Sequence, residues 1–162
     1  MIVCLYVDDL ICTGDFGIKD FKSIMKDEFE MNDLGLMRYF LGIEVHQSKD
    51  GIFISQSNYA SEILKRFNMI NSKPTPTPII TGMKLSKEDE GSRVDPTLFK
   101  RLVGSLMYLT TTRLDIMYGV SLISRFMENP KESHWKEGKK ILRYLNGTKD
   151  YGIKYSTSET SN

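Results

Sequence analysis

The sequence has little cysteine and almost no net charge, and both scarcities exclude classes of protein. Among its 162 residues the cysteines are Cys4 and Cys12, too few for a disulfide framework or a zinc-ligand set. We therefore predict that both are small core residues of a protein in a reducing compartment. The formal net charge of +1 gives no overall signal of nucleic-acid binding, so any basic surface must be local.

The sequence also lacks long apolar runs and a secretory leader. No stretch approaches the roughly 20 apolar residues that cross a bilayer. No basic leader precedes the first apolar run, which Asp8 and Asp9 interrupt. We expect an intracellular protein, cytoplasmic or nuclear, without a membrane partner. The chain begins inside a predicted strand, with no turn or cap before it, which is typical of a fragment of a longer protein.

In the first 56 residues the pattern predicts two β-hairpins and one amphipathic helix. The apolar runs are rich in β-branched residues, and Lys49-Asp50-Gly51 between two such runs is a strong signal for the second hairpin turn. Apolar residues recur at helical spacing after the first hairpin. The strands are predicted at 2–6 and 10–13 and at 38–46 and 52–56, and the helix at 18–31.

Beyond residue 56 the sequence predicts helices and loops. Ser57 or Asn58 can cap a helix that ends before a proline-rich linker at 73–78, where alternating prolines favour extended backbone. A polar loop over 81–94 follows, and Asp95-Pro96 is typical of a helix start. Three helices then carry apolar residues in line: Leu98, Leu102, Leu106 and Leu109; Ile116, Val120, Ile123 and Met127; Trp135, Ile141, Leu142 and Leu145. Residues 151–162 are predicted to form a frayed tail, and the fold class is α+β.

Asp8 and Asp9 are the most informative residues. A two-residue hairpin loop favours Asn-Gly or Asp-Gly, because its positions need positive φ angles, and two adjacent carboxylates repel each other. Such a breach of local rules is frequent at functional sites. The chemistry that uses it is the binding of a hard divalent cation such as Mg²⁺, since two such ions stabilise the attacking and leaving oxygens in phosphoryl transfer. The alternative is an ordinary solvated acidic turn.

The residues around this pair carry a family resemblance. Tyr6-Val7-Asp8-Asp9-Leu10 resembles the YxDD motif of reverse transcriptases. Further blocks, in family order, resemble copia-type retrotransposon reverse transcriptases as far as about residue 155. These blocks are Asp33-Leu34-Gly35, Phe40-Leu41-Gly42-Ile43-Glu44, Gly51-Ile52-Phe53-Ile54-Ser55-Gln56, Leu102-Val103-Gly104-Ser105-Leu106-Met107-Tyr108-Leu109, Thr112-Arg113-Leu114-Asp115-Ile116, Ser124-Arg125-Phe126 and Leu142-Arg143-Tyr144-Leu145-Asn146-Gly147-Thr148. Leu114 stands where the family usually has proline, and Asn146 where it usually has lysine.

The resemblance implies a partial polymerase palm over 1–56, made of two β-hairpins with a packing helix. An all-helical, thumb-like bundle over 57–150 would follow. Asp8 would be a catalytic metal ligand for Mg²⁺ or Mn²⁺, and Asp9 a second ligand or an electrostatic support. In the family the partner carboxylate and the fingers precede the YxDD motif, which places them upstream of Met1. With half of its ligands missing, the metal site is expected to be weak and the fragment catalytically incomplete.

Two groups of residues are implied by the resemblance to hold the template–primer. Phe40, Leu41, Gly42 and Ile43 resemble the primer grip; the alternative is a half-buried hairpin that only stabilises the palm. The helix that carries Gly104, Ser105 and Tyr108 resembles the thumb helix along the duplex. A glycine in mid-helix costs about 1 kcal/mol relative to alanine, so a close contact is expected there, either with nucleic acid or with another helix.

The last predicted helix adds a basic face that does not depend on the resemblance. Lys136, Lys139, Lys140 and Arg143 gather on one side of it, with Glu132 and Glu137 nearby. Such a face can track phosphates, although many charged faces are merely solvated. His46 and His134 have no ligand-type neighbours in sequence and are predicted to be surface residues.

Two functions from different classes follow. The first is a fragment of a retrotransposon RNA-directed DNA polymerase, inactive by itself, whose partners are an RNA or DNA template–primer and the missing polymerase segments. The second is a non-enzymatic nucleic-acid-binding or interaction protein derived from a retroelement. The intact Tyr6-Val7-Asp8-Asp9 favours the first, because a binding protein needs no carboxylate pair.

Overall fold

The structure, a computed structural model, describes residues 1–14, 16–80, 82–89 and 91–157. These residues confirm the predicted mixture of helix and strand, with five helices and two small antiparallel sheets. The chain divides into two units, the first ending at Arg38 and the second beginning at Tyr39. This division lies earlier than the predicted one after residue 56, because the second hairpin belongs to the sheet of the larger unit.

The first unit consists of one hairpin and one helix with little burial. Strands β1 (Ile2–Tyr6) and β2 (Asp9–Thr13) form the predicted hairpin, and helix α1 spans Ile18–Glu28. Every residue of β1 is exposed, and no residue of α1 is buried. The prediction that both cysteines lie in the core is therefore wrong: Cys4 is exposed and Cys12 is half-buried.

Asp33 closes the loop after α1. Its Oδ1 accepts hydrogen bonds from the Gly35 N–H, at 2.9 Å, and from Lys22 Nζ, at 3.0 Å. These two donors lower the pKa of Asp33, since both stabilise the charged carboxylate. The Asp33-Leu34-Gly35 block is thus a turn in which the carboxylate is bonded to the backbone two residues later.

The second unit begins with a four-stranded antiparallel sheet in the order β3-β4-β5-β6. Its strands are β3 (Tyr39–Phe40), β4 (Ile43–Ser48), β5 (Gly51–Ser55) and β6 (Gly152–Ser156). The predicted second hairpin is confirmed, with Lys49 and Asp50 between its strands. The predicted strand over 38–46, however, is broken by a tight turn at Leu41 and Gly42.

The predicted frayed tail is wrong for Gly152–Ser156. These residues pair with β5 over its whole length, and Gly152 lies so close to the Ile54 carbonyl that a side chain would not fit. The pairing partner is about 100 residues distant in sequence, so local composition gives no sign of it. The rest of the predicted tail, residues 158–162, lies outside the described residues.

Four helices of the second unit surround one apolar core. They are α2 (Ser57–Arg66), α3 (Pro96–Leu109), α4 (Leu114–Ser124) and α5 (Glu132–Gly147). The predicted apolar positions of α3 to α5 are mostly buried, with Leu102, Ile123 and Leu142 fully buried, but Leu98 in the first turn of α3 is exposed. None of the described helices is long and apolar enough to cross a membrane.

The helix starts confirm one prediction and correct another. Asp95 caps α3, because its Oδ1 accepts from the Thr97 N–H at 2.9 Å and Pro96 occupies the first turn. Helix α2 has no side-chain cap from Ser57 or Asn58. Instead the Asn58 N–H donates to Glu44 Oε1 of β4 at 2.8 Å, so a carboxylate from the sheet satisfies the helix N-terminus.

The linker and one histidine are more firmly held than their sequence suggests. In the linker region, Asn146 of α5 donates to the Ser72 carbonyl at 2.8 Å, and Pro74 packs beside Gly147. The prediction that His134 is a surface residue is wrong. Its ring is fully buried, stacked on Phe126 at 3.9 Å, and its Nδ1 accepts from the Lys131 N–H at 2.9 Å.

Arg113 joins the start of α4 to the end of α5. Its side chain is only 2% exposed and forms a two-pronged ion pair with Asp115, at 2.9 and 2.7 Å. It also donates to the carbonyl oxygen and the hydroxyl of Thr148, at 2.8 and 2.7 Å. The rings of Tyr144 and Tyr151 lie within 5.8 Å of the guanidinium. Most of its donors are therefore satisfied, as a buried cation requires.

The electrostatics of this ion pair favour the charged carboxylate. Burial raises the pKa of Asp115, but hydrogen bonds from Arg113 and Tyr144, together with the Arg113 charge, outweigh burial and lower it below its usual value. Burial and the neighbouring Asp115 raise the pKa of Tyr144. The folded protein therefore holds Asp115 ionised and Tyr144 neutral at neutral pH.

We predict that Asp115→Asn destabilises the protein by roughly 3 kcal/mol at neutral pH, because it leaves a buried guanidinium without its counter-charge. The lowered pKa means that this stabilisation is fully present above the unfolded-state value of about 3.9 and is lost as pH falls through the folded-state pKa. Denaturant unfolding as a function of pH measures both effects. The variant should lose less stability than the wild type below about pH 4.

The matched control for this prediction is Glu62→Gln on the exposed face of α2. It should change the free energy of unfolding by less than about 0.5 kcal/mol. Equal effects of the two substitutions, or identical pH profiles for Asp115→Asn and the wild type, would contradict the assigned role of the ion pair.

Candidate metal site and nucleic-acid interface

The turn between β1 and β2 carries the carboxylate pair in a way that the sequence only partly predicts. Tyr6 pairs with Asp9 across the hairpin, so the two loop residues are Val7 and Asp8 rather than the two aspartates. Val7 has a φ of 49°. A β-branched residue in this left-handed region stores about 1–3 kcal/mol of strain, a feature that clusters at functional sites.

Both carboxylates are exposed at this end of the hairpin. Asp8 lies in the loop and Asp9 is the first residue of β2. Their oxygens fit the preference of Mg²⁺ for hard ligands. Among the described residues no group of three or more His, Cys, Asp or Glu side chains could hold a metal ion. The pair can therefore supply two carboxylates toward a metal, but the described residues do not complete a coordination shell.

The four residues that resemble a primer grip form the tight turn of the second unit. Phe40 pairs with Ile43, and the two loop residues Leu41 and Gly42 have φ angles of 47° and 76°. The Leu41 side chain remains 43% exposed. The Tyr108 hydroxyl, from α3, donates a hydrogen bond to the Leu41 carbonyl oxygen. This turn is thus a surface feature held from a distant helix.

The three predicted residues of α3 point to different surroundings. A Cβ added to Gly104 would meet nothing within 4 Å, so nothing in the described structure requires glycine there. Ser105 is buried and accepts from Arg66 Nη1 at 3.3 Å, which places it inside the protein rather than on an interface. Tyr108 contacts the turn at Leu41. Of these three residues, Gly104 is thus the one with open space beside its backbone.

The basic residues of α5 share one helix face as predicted, but they differ in exposure. Lys136 and Lys139 are exposed, whereas Lys140 and Arg143 are half-buried. Lys136 lies 3.6 Å from Glu132, and the Lys139 ammonium lies 5.4 Å from the Trp135 ring centroid. The Lys136 charge is thus partly neutralised, and the Lys139 ammonium is held over an aromatic ring.

The sequence did not predict several residues that shape these sites. Val7 and Leu41 are apolar residues in turns, and no composition rule marks them. Glu44 and Gln56 lie inside the quoted family blocks, but their roles depend on helices that follow them in the chain. The role of Tyr59, whose ring meets the Tyr108 ring edge-on at 4.9 Å, likewise depends on a helix that follows it in the chain.

The family model and the relatives that match this chain agree on one protein family. Residues 1–81 match the family model described as "Reverse transcriptase (RNA-dependent DNA polymerase)". No solved structure matches the chain.

Three relatives illustrate the similarity. The chain is 38% identical over 151 residues to the retrovirus-related Pol polyprotein from transposon RE2 of Arabidopsis thaliana, covering 92% of this chain and 10% of that protein. It is 40% identical over 159 residues to the Pol polyprotein from transposon TNT 1-94 of Nicotiana tabacum, covering 91% and 12%. An uncharacterized mitochondrial protein of Arabidopsis thaliana is 37% identical over 156 residues, covering 94% and 64%. The chain thus spans about a tenth of the length of its Pol polyprotein relatives.

Proposed function

The chain belongs to the reverse transcriptase (RNA-dependent DNA polymerase) family, in its copia-type retrotransposon branch, and from this premise we propose that it is a polymerase segment that binds a template–primer without extending it alone. The observation that carries the proposal is the β1–β2 turn. A strained valine holds two exposed carboxylates at the end of a hairpin, in the position of the YxDD motif.

In this proposal Asp8 and Asp9 contribute carboxylate oxygens to a site for Mg²⁺ or Mn²⁺. When bound, such ions stabilise the attacking and leaving oxygens of nucleotidyl transfer. Asp8, in the loop, is the primary ligand, and Asp9 is a second ligand or an electrostatic support. Catalysis depends steeply on ligand placement. A polymerase segment that supplies a further carboxylate is therefore a proposed partner.

The second unit provides the proposed contacts with the template–primer. The turn at Leu41 and Gly42 would hold the primer strand, since the Leu41 side chain is exposed and the backbone is tightly reversed. Gly104 would let a duplex approach α3, because the space outside it is open and a mid-helix glycine has no packing role within the described residues.

The basic face of α5 would add phosphate contacts. Lys139 is the best placed of its four cations, because it is exposed and its ammonium is already held over the Trp135 ring, which limits the ordering cost on binding. Lys136 would first have to leave Glu132. These contacts would be independent of sequence and sensitive to salt.

A second candidate is a non-enzymatic nucleic-acid-binding protein. It is favoured by one observation: the buried apolar cluster belongs to the second unit, in its helices and at Phe126 between α4 and α5, away from the carboxylate pair in sequence. The two candidates share the duplex contacts and differ in whether Asp8 and Asp9 have any role. Metal-dependent binding that requires Asp8 would favour the polymerase segment.

Primer extension tests the polymerase part of the proposal. With an RNA template, a DNA primer, deoxynucleotides and either Mg²⁺ or Mn²⁺, we predict no extension by the wild-type chain or by Asp8→Asn, because two carboxylates alone leave the metals poorly placed. Synthesis by the wild type that Asp8→Asn abolishes would contradict this expectation and show that the chain is active by itself.

Gly104→Ala separates stability from binding. The new methyl group meets nothing within 4 Å, so the free energy of unfolding should rise by about 1 kcal/mol. The same methyl should weaken the affinity for a primer–template duplex about tenfold or more, since it blocks the close approach of a partner.

Thermal unfolding and fluorescence anisotropy measure the two effects of Gly104→Ala. Gly138→Ala is the matched control, because its methyl would lie 2.6 Å from Leu102 and should destabilise the protein instead. A more stable Gly104→Ala protein that binds the duplex as well as the wild type would exclude α3 from the interface.

A further inference from the structure

The turn at Leu41 and Gly42 is held in an unfavourable conformation. Both residues have positive φ angles, the pattern of a type I′ turn, for which Asn-Gly is the preferred sequence. Leucine lacks the short polar side chain that makes the left-handed region tolerable. Strand β3 on one side has only two residues and two paired positions. The strand pairing alone is therefore a weak support for a strained turn.

Tyr108 supplies a support from outside the hairpin. Its hydroxyl, 67 residues later in the chain, donates to the carbonyl oxygen of Leu41. Gly42 makes room for this contact, because a Cβ there would lie 2.7 Å from the tyrosine oxygen. The carbonyl group of Leu41 is thus fixed by a side chain of α3. Gly42 tolerates the positive φ angle and also leaves room for the phenol of Tyr108.

The position of Tyr108 is itself fixed on two sides. Its ring meets the Tyr59 ring of α2 edge-on, with centroids 4.9 Å apart and an interplanar angle of 84°. Its backbone carbonyl accepts from Gln56 Nε2 at 3.4 Å, and the buried Gln56 accepts from Thr112 Oγ1 at 2.8 Å. Helices α2 and α3 therefore hold the phenol in one place and orientation.

A second bond ties the same hairpin to α2. Glu44, two residues after Gly42, accepts from the Asn58 N–H at the N-terminus of α2. The turn is thus bonded to α3 through its Leu41 carbonyl and to α2 through its following strand. These two hydrogen bonds hold the turn against helices α2 and α3.

We propose that Tyr108 is a positioning residue: it fixes the Leu41–Gly42 turn in the conformation that receives the 3′ end of a primer strand. This inference rests on the proposed function. Tyr108 does not serve as a platform for a base, because its hydroxyl is engaged by Leu41 and its ring by Tyr59. Its effect passes through the backbone of the turn, and Leu41 with Gly42 makes the contact with the strand.

The experiment compares Tyr108→Phe with the wild-type full chain. Phenylalanine keeps the ring contact with Tyr59 and removes only the hydroxyl. Amide hydrogen exchange at Gly42 and Ile43 should accelerate about fivefold, the effect of one lost hydrogen bond. The ratio of affinities for a recessed-end primer–template over a blunt duplex of equal length should fall toward one. Affinity for the blunt duplex should stay unchanged, so that the fall in the ratio reports a loss at the primer end alone, which a merely structural role does not predict.

Two further variants complete the test. Gly42→Ala should reproduce the faster exchange and the lost end preference, because its methyl displaces the phenol. Tyr118→Phe is the matched control, since this tyrosine lies on α4 and is 69% exposed. It should behave as the wild type in both measurements.

Each outcome decides a different point. Unchanged exchange in Tyr108→Phe would overturn the role of the hydroxyl in holding the turn. Faster exchange with an unchanged affinity ratio would leave only a structural bond and overturn the positioning role. If the wild type binds neither duplex, the proposed function fails and the role at a primer end fails with it, whereas the exchange data still report whether Tyr108 holds the turn.

Discussion

The buried guanidinium of Arg113 sets the arrangement of the larger unit. A cation that is 2% exposed must find acceptors, and Asp115 and Thr148 provide them from the start of α4 and the end of α5. The chain after Thr148 passes Tyr151, which packs on the same guanidinium, and enters β6. Because β6 pairs with β5 and β5 with β4, the contacts of Arg113 with Thr148 and Tyr151 link the helical core to the sheet that carries the Leu41–Gly42 turn.

The two hairpin turns share a strained backbone conformation. Each places a bulky apolar residue, Val7 or Leu41, at a positive φ angle in a two-residue loop. Such strain persists only when the surroundings fix the backbone. For Leu41 the surroundings are visible as the bond from Tyr108. Val7, in contrast, is 76% exposed.

Local patterns predicted the parts of this fold that depend on local physics. The two hairpins, the Asp95 cap and the buried faces of α3 to α5 follow from periodicity and turn chemistry. Long-range pairing was not predictable: β6 finds its partner about 100 residues away, and α2 is capped by Glu44 of the sheet. At the candidate sites, residue type alone singled out Asp8 and Gly104, and their roles stay predictions. Conformation alone revealed that Ser105 is buried and that Tyr108 serves the turn.

Salt dependence of binding to a primer–template tests the central claim, that this segment contacts a nucleic-acid backbone through the second unit. We predict measurable affinity at low salt and a linear fall of log K with log salt, with a slope that drops by about 0.9 when Lys139→Gln removes one phosphate contact. No binding at low salt, or an affinity that does not change with salt in either protein, would contradict it.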